Sequence, residues 1–215
     1  MKTIHNLIVL DESGSMEVIK KEAFSGLNET LQSIRLAADR IPNMRQRVTV
    51  LLFDSDRMDF VYENTDISRV KPLDEDVYQP MAMTPLYDAI GRGVSAVRSH
   101  VENDDSVLVT IITDGYENAS REYSGTSIAH LIDLLKSQSW TFTFIGTDNI
   151  DVETVAKSLH VDEAMAFRQD SRETRKMWRR FNRSRDAYYN CCDVGVAMSV
   201  GSFFKAPEED DDEDL

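Results

Sequence analysis

The protein has 215 residues, 41% of them hydrophobic, which suffices for one domain with a full core, because single domains typically extend to ~250 residues. Its formal net charge of −14 argues against nucleic acid as the main partner, since duplex binding needs Lys and Arg to neutralise phosphates. The two cysteines are adjacent and cannot link distant segments, so a disulfide scaffold is excluded and we expect a reducing, cytoplasmic location. No apolar run is long enough to span a bilayer, and we expect no membrane partner.

Short apolar runs alternate with helical periodicity through the first half of the chain. A buried strand is predicted at residues 4–10, and a helix at 23–38 that Pro42 ends. A second strand at 48–53 is followed, after a polar turn, by a weaker one at 59–64. That short spacing predicts a hairpin to an antiparallel edge strand.

The same alternation continues through the second half. The remaining predicted elements are helix 86–97, strand 107–113, helix 128–135, strand 140–145, helix 152–159 and strand 163–167. Alternating strands and helices indicate an α/β fold, a Rossmann-like open and mostly parallel twisted sheet of about six strands with helices on both faces. We assign residues 1–167 to this domain.

The pattern changes after residue 167. Residues 168–185 predict a basic amphipathic helix that packs on or extends the domain, with eight basic side chains against Asp170 and Glu173. Residues 186–215 form an extension whose last part, 208–214, is entirely acidic and predicted to be disordered. We interpret the basic face as solvated. The alternative is a charge-based scaffold or regulatory role, with the acidic tail as an intramolecular partner.

Oxygen-bearing side chains stand where predicted strands end and a helix begins. They are Asp11, Ser13 and Ser15 after the first strand, Thr84 at the start of helix 86–97, and Asp114 after strand 107–113. The carboxyl ends of neighbouring parallel strands converge on one crevice, so these positions are expected to meet. Taken singly, each has a plainer interpretation, as a helix cap or a turn residue.

Two carboxylates and three hydroxyls, without His or Cys, suit a hard cation that prefers oxygen ligands. We predict Mg²⁺, with Mn²⁺ or Ca²⁺ as substitutes. Because the site supplies few charged ligands, at least one coordination position is expected to stay open to exchange with an outside oxygen.

Three sequence segments carry a family resemblance. DESGSM at 11–16, TPLYDAIG at 84–91 and ITDG at 112–115 resemble the loops of the metal-ion-dependent adhesion site (MIDAS) of von Willebrand factor A (VWA) domains. The likeness covers the predicted domain and includes IGTDN at 145–149. The form of the second segment resembles small stand-alone bacterial members, including the tellurium-resistance type.

The resemblance implies specific roles for the five side chains. Ser13, Ser15 and Thr84 would bind the metal directly, while Asp11 and Asp114 would act directly or through water. A Glu or Asp of a protein partner would fill the last position, which makes the chain an interaction module and not an enzyme.

We predict a partner-binding rim around this ion. Its members are Glu12, Met16, Met83, Tyr116 and Glu117. A tyrosine there would offer a partner both an apolar face and a hydroxyl. The alternatives are core packing for the methionine of the second loop and a solvated loop for residues 116–118.

An enzymatic alternative is a metal-dependent phosphoester hydrolase with Asp11 as nucleophile. Such enzymes have an Asp-x-Asp pattern in which the second acid transfers the proton, but Ser13 occupies the position of the second acid in this chain. The four histidines lack ligand spacing and are interpreted as surface or locally paired residues.

Overall fold

The structure is a computed structural model that describes residues 1–196, 198 and 201–205. Six strands form one sheet. They are β1 (Lys2–Asp11), β2 (Met44–Phe53), β3 (Met58–Asp66), β4 (Ser106–Thr113), β5 (Trp140–Thr147) and β6 (Glu163–Phe167). The spatial order is β3-β2-β1-β4-β5-β6, with every pairing parallel except the antiparallel β2–β3 hairpin. The predicted α/β class and antiparallel edge strand are confirmed.

Five helices cover this sheet. They are α1 (Lys20–Arg40), α2 (Leu86–Arg98), α3 (Gly125–Lys136), α4 (Val152–Ser158) and α5 (Ser171–Asp193). Successive side chains of a strand point to opposite faces, so Ile8 packs into a core shared with α1 and α5. Its neighbours Leu7 and Val9 pack into a second core with α2, α3 and α4. Both faces of the central strand are therefore buried.

The C-terminal helix α5 is longer than the predicted 168–185. Its apolar face continues beyond residue 185 through Tyr188 and Tyr189, both buried, which extends the packing against the sheet. One of its seven basic side chains, Arg185, is itself buried against the rings of Phe181 and Tyr189. The predicted basic face is therefore not wholly solvated.

Residues 201–205 lie against the domain. Phe203 is buried, and its ring packs near those of Phe181 and Tyr188. The predicted acidic tail, 208–214, falls outside the described residues. Among those that are described, no helix is both long and apolar enough to cross a membrane.

Candidate metal centre

The sheet brings the predicted metal ligands to one edge. Strand β1 ends at Asp11 and its parallel neighbour β4 ends at Thr113, so Asp11 and Asp114 emerge side by side. Thr84 lies just ahead of α2, which packs across β1. Three segments that lie far apart in the sequence, between residues 11 and 114, thus reach the same edge.

Gly115 marks the point where the three loops meet. A Cβ atom placed on it would lie 3.0 Å from Thr84 Oγ1, 3.7 Å from Ser15 Oγ and 3.9 Å from Asp11 Oδ2. Ser15 Oγ donates to Asp114 Oδ1 at 2.6 Å, and it lies 3.3 Å from Ser13 Oγ. All five predicted side chains therefore belong to one cluster, and a side chain at position 115 would intrude on it.

Asp11 is the most enclosed member of the cluster, with no exposed surface. Its Oδ1 accepts the Ser13 N–H at 2.7 Å, and its Oδ2 accepts the Thr113 hydroxyl at 2.5 Å. The Tyr78 hydroxyl donates to its backbone oxygen at 2.7 Å. Burial raises the pKa of Asp11 to about 7, despite the hydrogen bonds from Thr113 and Ser13.

Both carboxylates lack a cationic neighbour in the part of the chain that the structure describes. Within the described residues, neither Asp11 nor Asp114 forms an ion pair with Lys, Arg or His. Burial also raises the pKa of Asp114. Two buried carboxyl groups with hydroxyls around them thus have no compensating positive charge from the described side chains, and such charge would favour their ionised form.

The chemistry of this set fits Mg²⁺. In the described part of the chain, no group of three or more His, Cys, Asp or Glu side chains is placed to hold a metal ion. A site here would therefore be a mixed one, of two carboxylates and three hydroxyls. Oxygen donors with few charges suit a Mg²⁺ ion that keeps some of its waters.

Asn118 fixes the position of Thr84, a role that the sequence did not reveal. Its Oδ1 accepts the Thr84 N–H at 2.8 Å, and its own backbone N–H donates to Thr84 O at 3.1 Å.

Two carboxylates brace the loop after β4 against the start of α2. Glu117 accepts N–H groups of Tyr87, Ala119 and Ser120, and Asp88 accepts those of Arg121, Glu122 and Tyr123.

The predicted rim needs two corrections. Glu12 has no exposed surface, because its carboxylate accepts hydrogen bonds from Arg57 and the Gln79 N–H beneath the loops. Met16 is also buried, because the chain after Ser13 enters a 3₁₀ turn, Gly14–Ile19, whose threefold repeat turns Met16 and Ile19 inward. Neither residue can meet a partner on this surface.

The other rim residues differ in exposure. Met83 is 52% exposed and Tyr116 is 53% exposed. Met81 is similarly exposed, and the residue between the two methionines, Ala82, has a φ of 60°. Glu117 is half-buried and engaged in bracing the loop, so Met83 and Tyr116 are the exposed rim members. The Tyr116 hydroxyl accepts the Asp151 N–H at 2.8 Å.

No family model and no curated protein sequence matches the chain. Solved structures do resemble it, among them the vWF domain of the type V pili tip protein Mfa5 from Porphyromonas gingivalis, with a TM-score of 0.62. The match covers 92% of this chain and 97% of that one, at 9% identity. The chain has a VWA-like fold.

Two longer proteins contain a similar domain. The pilus adhesin SpaC from Lactobacillus rhamnosus GG, in its open conformation, matches the VWA-like domain with a TM-score of 0.64 and 12% identity over 86% of this chain and 30% of its own. The proximal thread matrix protein 1 of the mussel byssus matches with a TM-score of 0.56 and 16% identity over 83% of this chain and 44% of its own. This chain thus spans less than half the length of either, and such identities show the fold alone.

Proposed function

We propose that this VWA-like domain is a Mg²⁺-dependent protein-interaction module that binds an acidic side chain of a partner through a MIDAS-type site. The observation that carries the proposal is the meeting of two buried carboxylates and three hydroxyls around Gly115 with no cationic side chain, among the described residues, to neutralise them. The resemblance to domains of pilus tip and adhesin proteins supports a role in protein interaction.

The five side chains differ in the kind of oxygen that they would supply to a bound ion. Ser13, Ser15 and Thr84 supply neutral oxygens, and Asp11 and Asp114 supply the negative charge. A bound Mg²⁺ supplies an open coordination position that a partner's carboxylate oxygen can fill. Because five protein oxygens would fill only five of the six octahedral positions of Mg²⁺, one position would remain for a partner's carboxylate oxygen.

The surface beside the site supports binding by contact. Met83 and Tyr116 present apolar area next to the cluster, which a partner residue adjoining the acidic one can cover. The described groups that donate to the Asp11 carboxylate belong to Thr113 and Ser13, and neither residue acts as a general acid or base near neutral pH. We therefore propose binding in preference to phosphoester hydrolysis.

Capture of partners with and without chelator tests this function. Immobilised wild type and Asp76→Asn, which alters an exposed carboxylate away from the site, should retain the same proteins in Mg²⁺ and release them in EDTA. Asp114→Asn, a near-isosteric change, should retain these proteins neither in Mg²⁺ nor in EDTA. Equal retention in EDTA would overturn the proposal, and a phosphoesterase activity that Asp11→Asn abolishes would favour the enzyme.

A further inference from the structure

Gln169 joins the metal cluster from a strand that the motif does not include. It follows β6, two strands away from β4, and its side chain crosses the edge of the sheet. The Nε2 group donates to Asp114 Oδ2 and to the backbone oxygen of Ser15, the latter at 3.1 Å. Gln169 therefore contacts two of the three loops that build the cluster.

The amide of Gln169 is held in one orientation. Its Oε1 accepts a hydrogen bond from Asn149 Nδ2, so the nitrogen faces Asp114. Its backbone N–H donates to Asp148 Oδ1 at 3.1 Å. Asn149 and Asp148 both belong to the loop after β5, and β5 is the strand between β4 and β6. The Gln169 amide that donates to Asp114 is therefore held in place by residues of this loop.

This contact limits how Asp114 can bind a cation. One carboxylate oxygen accepts the Ser15 hydroxyl and the other accepts the Gln169 amide. Binding through both oxygens would turn each of them toward the ion, and Oδ2 would then share its lone pairs between the ion and the amide, whereas binding through Oδ1 would leave the amide contact undisturbed. Ca²⁺ takes 6–8 ligands and often a bidentate carboxylate, while Mg²⁺ demands octahedral geometry and retains waters.

We propose that Gln169 determines cation specificity by restricting Asp114 to coordination through one oxygen, which favours Mg²⁺ over Ca²⁺. The inference rests on the proposed function, because it concerns the same metal site. Gln169 lies outside the three MIDAS-like loops. Its role has a measurable consequence of its own, a change in the ratio of the Mg²⁺ affinity to the Ca²⁺ affinity.

Calorimetric titration with MgCl₂ and CaCl₂ separately tests the inference. Gln169→Met keeps the length of the side chain and removes its three side-chain hydrogen bonds. We expect the Mg²⁺-to-Ca²⁺ affinity ratio to fall about tenfold, which is the size of effect that loss of an outer-shell partner has on metal affinity. Asn149→Ala, at an exposed position, should release the amide and lower the ratio in the same direction without risk to the fold. Gln138→Met, an exposed glutamine at the other end of the sheet, should leave it unchanged.

The outcomes separate the two proposals. A wild type that binds neither cation would overturn both the function and the role of Gln169. A wild type that binds Mg²⁺, with the same affinity ratio in Gln169→Met and Asn149→Ala, would overturn the role of Gln169 alone.

Discussion

The sequence identified Thr84 as a metal ligand, but it did not identify the residue that fixes the position of Thr84. The motif predicted its hydroxyl at the metal, and the structure places that oxygen beside Gly115. The residue that holds it there, Asn118, lies 34 positions away and belongs to no motif. Glu12 and Met16 were misplaced for a related reason, since the direction in which a loop turns depends on partners such as Arg57.

We predict that Asn118→Ala weakens Mg²⁺ binding about tenfold, the typical effect of losing a partner that orients a ligand. The Thr84 N–H would lose its acceptor, and the hydroxyl would no longer be held in place. Calorimetry measures the change. Asn43→Ala, at an exposed position before β2, serves as the control, and the same affinity in both variants would mean that Asn118 does not position Thr84.

At the scale of elements, the contact between α1 and α5 depends on a glycine. Gly26 of α1 lies against Trp178 of α5, and a Cβ at position 26 would lie 2.2 Å from the indole ring. The sequence predicted both helices from their periodicity but gave no sign that they touch. Packing partners far apart in the chain are set by the tertiary fold, which local periodicity does not encode.

Gly26→Ala should therefore destabilise the protein by about 1 kcal/mol net, because forcing extra volume into a packed interface usually costs about 2 kcal/mol. This outweighs the gain in helix propensity, which is ~1 kcal/mol. Ser25→Ala, on the exposed side of the same helix, should change stability little. Urea unfolding measures both, and a Gly26→Ala variant as stable as wild type would show that the indole can move aside.

His5 of β1 and Asp105, the residue before β4, form a buried pair, and this pair predicts that the stability of the protein depends on pH. His5 is buried, with Nε2 3.2 Å from Asp105 Oδ2. Burial lowers the pKa of His5 below 6.5 although Asp105 opposes this, and the charges of Arg47 and His100 lower it further. Burial would raise the pKa of Asp105, but hydrogen bonds from Glu102 and Thr3 N–H groups outweigh it and lower that pKa.

As the pH falls below 6.5, the unfolded chain takes up a proton at His5 that the folded protein resists, so the free energy of unfolding should decrease. Asp105 stays ionised in this range, because its pKa is lowered from 3.8. Thermal melts above and below pH 6.5 should show a smaller loss in His5→Gln than in wild type. His130→Gln, an exposed histidine, should behave as wild type, and parallel losses in all three would exclude His5 as the cause.

For the whole molecule, the sequence predicted the architecture well because the alternation of strands and helices constrains it strongly. Parallel strands need crossovers, and these leave few arrangements of six strands. The extent of α5 was underestimated, since its buried face continues past the predicted end through Tyr188 and Tyr189. The burial of Arg185 against Phe181 and Tyr189 was also not foreseen. The cytoplasmic location stays a prediction.

The acidic tail supplies a prediction on the same scale. Exposed arginines at the start of the C-terminal region, such as Arg168 and Arg175, could attract the seven acids of residues 208–214. A tethered ligand reaches high effective concentration, so the tail should compete with an outside acidic peptide. Deleting residues 208–215 should raise the affinity for an oligoglutamate peptide at low salt, measured by fluorescence anisotropy.

Two comparisons make the tail experiment decisive. High salt should diminish the difference between the deletion variant and wild type, because screening weakens exposed charge pairs. A tail of the same length with Gln and Asn in place of the acids should behave as the deletion does. Unchanged peptide affinity at every salt concentration would mean that the tail does not compete.

The central claim is that the cluster around Gly115 holds Mg²⁺, and a calorimetric titration of the metal-free protein with Mg²⁺ tests it most directly. Wild type and Asp76→Asn should bind at one site. Asp11→Asn and Thr84→Val, which preserve side-chain shape, should lose that binding while far-ultraviolet circular dichroism stays unchanged. Absence of binding by wild type, or equal binding by all four proteins, would contradict the account.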